Sequence, residues 1–300
     1  MTGSARASDT GQRTREERRR SYRGPHKENV VMVHGMWTSG QYWQKFQSFF
    51  GRRGYRCFYP TLRFHDAGPT GEPDPRLGST SLLDYVCDLE GEMDKFEAPP
   101  ILMGHSMGGL LALMLATRRQ VRALVLLNPA PSYGMFCLRP SVLWSFRCAA
   151  TTWCFWKKPI RQSRAEAVYG QLHLLDREGQ QAAYDSFVHE SGRAIFEIGL
   201  SLLDVRRAAR VDTSRVRCPV LVVGASQDRI TPAPIARAVA RKCGANYREF
   251  PDHAHPTAWE PGWRDVAGHI SEWLDQALGV EREGAPAQLV SQGATSPPSR

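Results

Sequence analysis

Hydrophobic positions along this chain fall into two alternating patterns. Short continuous apolar runs take turns with longer stretches whose apolar residues recur every three or four positions. The runs are Glu28 to Val33, Tyr55 to Tyr59, Pro100 to Leu102 continuing into Met103, Val121 to Leu127, Pro219 to Val223 and Tyr247 to Phe250. Runs of this length, bounded by Gly, Pro or Asn, read as strands, and the continuously apolar ones as strands buried on both faces. Between them, Gln41 to Arg53 carries Tyr42, Trp43, Phe46, Phe49 and Phe50 at helical spacing, closed by Gly54; this predicts an amphipathic helix with a glycine cap. Further helices are predicted over Ser81 to Leu89, Leu110 to Ala116, Pro232 to Cys243 (with Thr231 as its cap) and Asp265 to Leu278. Such alternation predicts an α/β fold, a doubly wound parallel sheet of about six strands covered on both faces.

At Pro131 the pattern breaks. From 131 to 210 no convincing strand is seen, and the segment reads as several helices holding Trp144, Phe146, Trp153, Phe155 and Trp156. The predicted organisation is therefore an α/β core in two parts, 28–130 and 211–279. A helical cap, 131–210, is inserted after the strand that follows the helix beginning near Met107. Tails at 1–27 and 280–300, polar and without periodicity, are expected to be disordered. The loop from Pro60 to Gly78 is long for a compact domain, and loops of that length usually have a task; His65 and Asp66 within it read as a surface pair.

Candidate chemistry centres on Met103-Gly104-His105-Ser106-Met107-Gly108-Gly109, set between a strand and a run of helix formers. Glycines two before and two after the serine make a G-x-S-x-G turn. So sharp a strand-to-helix turn needs small neighbours, lifts the serine clear of the sheet and points the positive end of the next helix at it. Serine needs a base to take its proton and a group to orient that base. Asp228 follows the strand Val220 to Val223, at the sheet edge where parallel sheets assemble their sites. The base comes from Pro251-Asp252-His253-Ala254-His255-Pro256, where two histidines compete. Two residues apart, they point the same way in an extended segment and are parted by a turn. Met107 N–H, next after the serine, is one candidate donor to a developing oxyanion.

Over roughly residues 28 to 278 these motifs resemble the α/β-hydrolase superfamily. The resemblance selects His255, four residues after Pro251 and five before Glu260, over His253. It makes Met36 N–H, in His34-Gly35-Met36-Trp37, the second oxyanion donor, and it leaves His34 and His105 structural. The implied activity is a serine hydrolase cleaving a carboxylic ester (carboxylesterase, lysophospholipase or lactonase) through an acyl-enzyme, with Ser106, His255 and Asp228 as triad and no cofactor or metal. A C–C bond or thioester hydrolase with the same triad, or a non-catalytic receptor on the fold, are the alternatives. A serine at the elbow separates the chain from the aspartate-using epoxide hydrolases and haloalkane dehalogenases. An aromatic cap implies a small-molecule ester with an apolar part.

Composition narrows the picture only in places. The net charge of +9 raises the question of nucleic acid, but residues 1–28 hold eight Lys/Arg against four acids, so much of the excess sits in the basic tail. A solvated extension is the reading taken, with no nucleic-acid partner. Ser141 to Lys158 combines an apolar face with Arg147, Lys157 and Lys158. That composition suits packing of a cap helix, the preferred reading, or weak contact with a membrane surface. Seven cysteines without a C-x-x-C pair read as free thiols. Arg18-Arg19-Arg20 precedes no apolar segment, so no secretory or twin-arginine leader is read, and a cytoplasmic protein is expected.

Overall fold

The apolar runs form strands in the computed structural model, which describes residues 28–135 and 139–279. The predicted tails at 1–27 and 280–300, and Cys137, lie outside the described residues. The strands are β1 (Asn29–Val33), β2 (Arg56–Phe58), β3 (Ile101–His105), β4 (Ala123–Leu127), β5 (Pro159–Ile160), β6 (Glu190–Ser191), β7 (Val220–Ala225) and β8 (Asn246–Phe250). Six of them make one sheet in the order β2-β1-β3-β4-β7-β8, parallel throughout. In register, Val30 pairs with Ile101 and Ile101 with Ala123. The four inner strands are almost wholly buried, whereas the edge strands β2 and β8 alternate with exposed residues. Burial on both faces is what a continuous apolar run encodes.

Alternate residues of each strand feed opposite layers. Val31, Val33, Leu102, Leu124, Leu126 and Val222 face one core, while Val30, Met32, Ile101, Met103, Val125 and Val223 face the other. Ten α-helices accompany the described strands. They are α1 (Gln44–Gly51), α2 (Leu82–Met93), α3 (Met107–Ala116), α4 (Pro140–Ser145), α5 (Arg147–Thr151), α6 (Arg164–Ala167), α7 (Arg177–Asp185), α8 (Gly192–Gly199), α9 (Ala233–Cys243) and α10 (Trp263–Ala277). Helices α2, α3 and α9 pack on the first face, α1 and α10 on the second. Helix α3 is buried all round, which its unbroken apolar sequence requires.

Four local expectations are corrected. The aromatic helix begins as a tight turn, Gly40–Trp43, before α1. Gly40 lies so close to the Tyr59 carbonyl that a Cβ would stand 2.3 Å from it, so the chain enters at a place only glycine fits. Helix α9 is preceded by Pro232, not capped by Thr231, because the Thr231 hydroxyl is turned inward to the Asn128 carbonyl and Asp228. Between β4 and β7 the chain is mainly helical but includes the two-residue antiparallel pair β5–β6, too short to leave a period of two in the sequence. His65 is no surface residue; it is buried against Glu190.

That last pair helps hold the inserted segment on the core. Glu190 accepts from Tyr85 Oη (2.8 Å) and the Ser191 N–H (2.6 Å), with His65 Nε2 at 3.1 Å. His65 Nδ1 lies 3.0 Å from the Arg63 carbonyl, so with both ring nitrogens facing acceptors the imidazolium is the form that satisfies all partners. Burial pulls the His65 pKa down, but the Glu190 carboxylate and these hydrogen bonds outweigh it and the net shift is upward. A second buried carboxylate of the insert, Glu197, accepts from the Leu82 N–H (2.8 Å) and Ser81 Oγ (2.8 Å) at the N-terminus of α2, and from Arg193 Nε (2.7 Å). No helix among the described residues is long and apolar enough to cross a membrane.

Candidate active site

Ser106 stands between β3 and α3 with φ 55° and ψ −122°. A positive φ on a residue other than glycine is strained and persists only where packing enforces it. Here two glycines do so. A Cβ on Gly104 would stand 2.2 Å from the Gly108 carbonyl oxygen, and one on Gly108 would stand 2.2 Å from that of Val33. Strand, helix and the loop after β1 therefore approach more closely than any other residue permits. The Ser106 carbonyl accepts from the Ala130 N–H (2.9 Å) and its N–H donates to Leu127 (3.0 Å), fixing the elbow to the end of β4.

The loop after β1 lies directly against this turn: a Cβ on Gly35 would meet Ser106 Cβ at 2.9 Å. Met36 follows Gly35, and Met107 opens α3, where the first N–H groups have no partner within the helix. Both ring nitrogens of His34 are engaged by backbone. Its Nε2 accepts the Leu62 N–H at 3.0 Å, leaving Nδ1–H to donate to the Gly35 carbonyl at 2.9 Å. Burial, seconded by nearby His65, pushes its pKa down to about 3, so it stays neutral.

The structure brings Asp228 and His255 together. His255 Nδ1 is 2.7 Å from Asp228 Oδ2, with both side chains buried. Asp228 Oδ1 accepts from the N–H groups of Ile230 (2.7 Å) and Thr231 (2.8 Å), which locks the carboxylate's orientation. Thr231 Oγ1 stands 2.9 Å from Asp228 Oδ2, 2.9 Å from the Asn128 carbonyl and 3.3 Å from His255 Nδ1. Its single proton serves one of the two oxygens at a time. Because Nδ1–H points at Asp228, Nε2 is the basic nitrogen of the neutral ring. The rings of His255 and His105 lie 4.7 Å apart, centre to centre, which sets the imidazole beside the elbow.

The histidine loop is clamped by Asn128, whose part sequence reasoning missed, together with His105 and Glu260. Asn128 Nδ2 donates to the carbonyls of Ala254 (3.0 Å) and His255 (2.9 Å), and His105 Nε2–H donates to the His255 carbonyl (2.8 Å). Glu260 Oε1 accepts the Ala254 N–H at 2.9 Å. Burial drives the Glu260 pKa up to about 8 despite that bond. Burial likewise holds His105 well below the usual histidine range, so it remains a neutral donor, stacked on Tyr42 at 4.6 Å. His253 faces away from this group, against Phe250 (5.4 Å) and under Gly262. It is buried, packed against Phe250 of the second core. The one clue to Asn128 is its place at the end of a buried strand, beside the strand that leads to Asp228.

Two cavities flank the elbow. One, about 260 Å³, is lined by Ser106 and Met36 from the core, Ile230 and Ile235 near α9, and Val142, Phe146, Phe155 and Ile195 from the insert. The other, about 700 Å³, is more polar and reaches from His105, Tyr42 and Pro256 to Gln41, Thr38, Gln171 and Asp66. An apolar pocket with few polar groups at one end is the usual form of a small-molecule site.

Known proteins agree with this architecture. The pyrethroid hydrolase from Sphingobium faniae is 17% identical, with TM-score 0.64 over 83% of this chain and 97% of its own. A methylesterase from Arabidopsis is 12% identical, with TM-score 0.61 over 83% of this chain and all of its own (100%). An esterase from Thermogutta terrifontis is 20% identical, with TM-score 0.60 over 84% and 91%. At the level of sequence, the lipase LipV of Mycobacterium tuberculosis is 32% identical over 103 residues, which is 34% of this chain and 37% of the lipase. The match thus spans little more than a third of that relative. The sequence pattern of the alpha/beta hydrolase family, by contrast, matches residues 30–268, from β1 into α10 and so across every strand described above. On that extent of agreement the chain belongs to the alpha/beta hydrolase family, and an enzyme of the hydrolase type is what its relatives support.

Proposed function

We propose that the protein is a serine hydrolase of carboxylic esters with an apolar acyl part. One observation carries the reading: a buried Asp228–His255 pair at 2.7 Å packs its imidazole 4.7 Å from the ring of His105, the residue before a strained serine that lines an apolar cavity. Ser106 Oγ attacks the ester carbonyl carbon while His255 Nε2 takes its proton; Asp228 holds the tautomer and stabilises the imidazolium. The N–H groups of Met36 and Met107 receive the tetrahedral oxyanion, a contribution worth about a hundred- to a thousandfold for each donor. His255 then returns the proton to the leaving alkoxide. Water, activated by the same nitrogen, releases the acid from the acyl-enzyme, so every step uses groups of this chain alone.

The two cavities divide the substrate. The apolar one takes the acyl group, and its volume of about 260 Å³ is at the small end of the ligand range, which favours short, branched or aryl acyl groups. The polar one suits the alcohol. A methylesterase of like fold is in keeping with an ester substrate. Turnover of p-nitrophenyl esters of graded acyl length tests the proposal. Short and medium chains are expected to be cleaved with an initial burst of nitrophenol, and Ser106→Ala to lose about ten-thousandfold or more of the activity. Undiminished turnover by Ser106→Ala would remove the mechanism.

A further inference from the structure

Large apolar side chains that face water are concentrated in one part of this molecule. Of the nine exposed among the described residues, eight lie between Leu143 and Val205, in the insert; Phe58 on an edge strand is the other. They form two groups. Leu143, Trp144, Trp153 and Trp156 belong to the chain around α4 and α5, and Leu200, Leu202, Leu203 and Val205 to the turn after α8. Trp153 is 84% exposed, Leu202 56%, Leu203 67% and Val205 93%. Leaving residues of this kind in water is unfavourable, and clustering on one part of a surface marks a place of contact.

Contacts within the insert tie the two groups to one rim. Leu143 and Leu200 both line the apolar cavity that contains Ser106. Phe155 lines it too, and the rings of Phe155 and Trp156 pack on Phe196 of α8 at 6.4 and 6.0 Å. Helix α8 runs directly into Leu200–Val205. One residue of each exposed group therefore lines the cavity, and the rest of each group lies beside it along the chain.

Charge around this rim is one-sided. Segments 139–160 and 199–210 carry Arg139, Arg147, Lys157, Lys158, Arg206, Arg207 and Arg210, all exposed. Their single acid, Asp204, is buried and paired with Arg193 at 3.0 Å. Arg147 lies over the Trp144 ring at 4.3 Å, its charge partly offset by Glu166 at 3.7 Å. Tryptophan and leucine mixed with an excess of Lys and Arg over acids is the composition of a surface that inserts its apolar tips below the headgroups of an anionic bilayer. A second copy of the chain is a poorer fit, because a two-fold contact sets the same cations face to face.

We propose that this face, formed by the chain around α4–α5 and the turn after α8, docks on anionic lipid bilayers and turns the mouth of the apolar cavity toward the membrane. The docking goes beyond the ester chemistry and does not require it. Trp153 and Leu203 insert between lipids, and the lysines and arginines hold the headgroups.

The test is co-sedimentation of the full chain with phosphatidylcholine vesicles, with and without about a third phosphatidylglycerol. The wild type is expected to pellet with the anionic vesicles, with a blue-shifted tryptophan emission, and to be released by high salt. Trp153→Ser with Leu203→Ser, residues outside both cavities, should lower vesicle affinity about tenfold or more, and Lys157→Gln with Lys158→Gln about fivefold for each charge removed. Turnover of a short water-soluble p-nitrophenyl ester should stay at the wild-type rate in both double variants, which also reports that they fold. Vesicle binding read in Ser106→Ala separates docking from catalysis: retained binding supports the proposal even where no ester is cleaved. No pelleting with anionic vesicles would overturn it, as would equal binding to neutral ones or binding unchanged by both double variants. A concentration-dependent dimer that the Trp153→Ser, Leu203→Ser variant abolishes, without vesicle binding, would also overturn it.

Discussion

The carboxyl edge of the sheet and the surface of the insert treat water in opposite ways. At the sheet edge, polar side chains are buried and tied to named partners: Asp228 to two backbone N–H groups and His255, Asn128 to two carbonyls. On the insert, apolar side chains are exposed, and two of its buried carboxylates, Glu190 and Glu197, are spent on attachment to the core. The first region is a rigid frame, since a buried polar group that loses its partner is costly and each partner fixes the next. The second is held by a few anchors and leaves its outer face free. On the proposed function, the contrast assigns the chemistry of this chain to the frame and the choice of what reaches it to the insert.

If the frame carries the chemistry, its disruption should cost the most. Ser106→Ala is expected to lower kcat by about ten-thousandfold or more with little change in Tm, checked by ester turnover and thermal unfolding. His255→Ala should be nearly as damaging, while His253→Ala, whose ring faces the other core, should stay within about tenfold of wild type. The reverse order would mean that the wrong histidine has been given the base. Asn128→Ala tests the clamp. Losing two donated hydrogen bonds to the histidine loop should cost about 2 kcal/mol of stability and on the order of tenfold to a hundredfold in kcat. Loss of stability with an unchanged pH profile and rate would confine Asn128 to a structural role.

Glu260 sharpens the comparison from another side. Its carboxyl titrates at about 8 in the folded chain because burial penalises the charged form. The folded state therefore binds this proton more tightly than the unfolded state, whose glutamate titrates near its ordinary value. The resulting stability is full below the unfolded pKa and is lost as pH rises through about 8. Glu260→Gln mimics the neutral form and should flatten that decline, measured as Tm from about pH 4.5 to about pH 8. A steeper decline in the variant would show that the ionised form is the stabilising one. The smallest effect belongs to the insert surface: Leu203→Ser should change stability by no more than about 0.5 kcal/mol, since the side chain packs on little.

The same contrast explains what could be read from the sequence. Inner strands are sandwiched between two layers, so each is an unbroken apolar run, and the four-stranded centre of the parallel sheet was legible from that; the half-exposed edge strands were placed by their alternation with helices. Gly104, Ser106 and Gly108 announce the elbow because so tight an approach excludes other residues. His255 was chosen over His253 by the resemblance to the family, while Asp228 was singled out because it follows a strand at the carboxyl edge of the sheet. Asn128 was not, since its partners are carbonyls 126 and 127 residues away and no local pattern encodes them. His65 was misread for a like reason: its neutralising carboxylate, Glu190, comes from the insert, 125 residues on. Packing was the preferred reading for Trp144, Trp153 and Trp156, yet all three are exposed. Periodicity reports that a face is apolar, and only the presence of a second layer decides whether it is covered.

The central claim is that one serine is made nucleophilic by one histidine. It is tested most directly by treating the protein with a fluorophosphonate and mapping the adduct by peptide mass spectrometry. The account predicts a single adduct on Ser106, present in His253→Ala and lost in His255→Ala. An adduct on another residue, or undiminished labelling of Ser106 in His255→Ala, would contradict it.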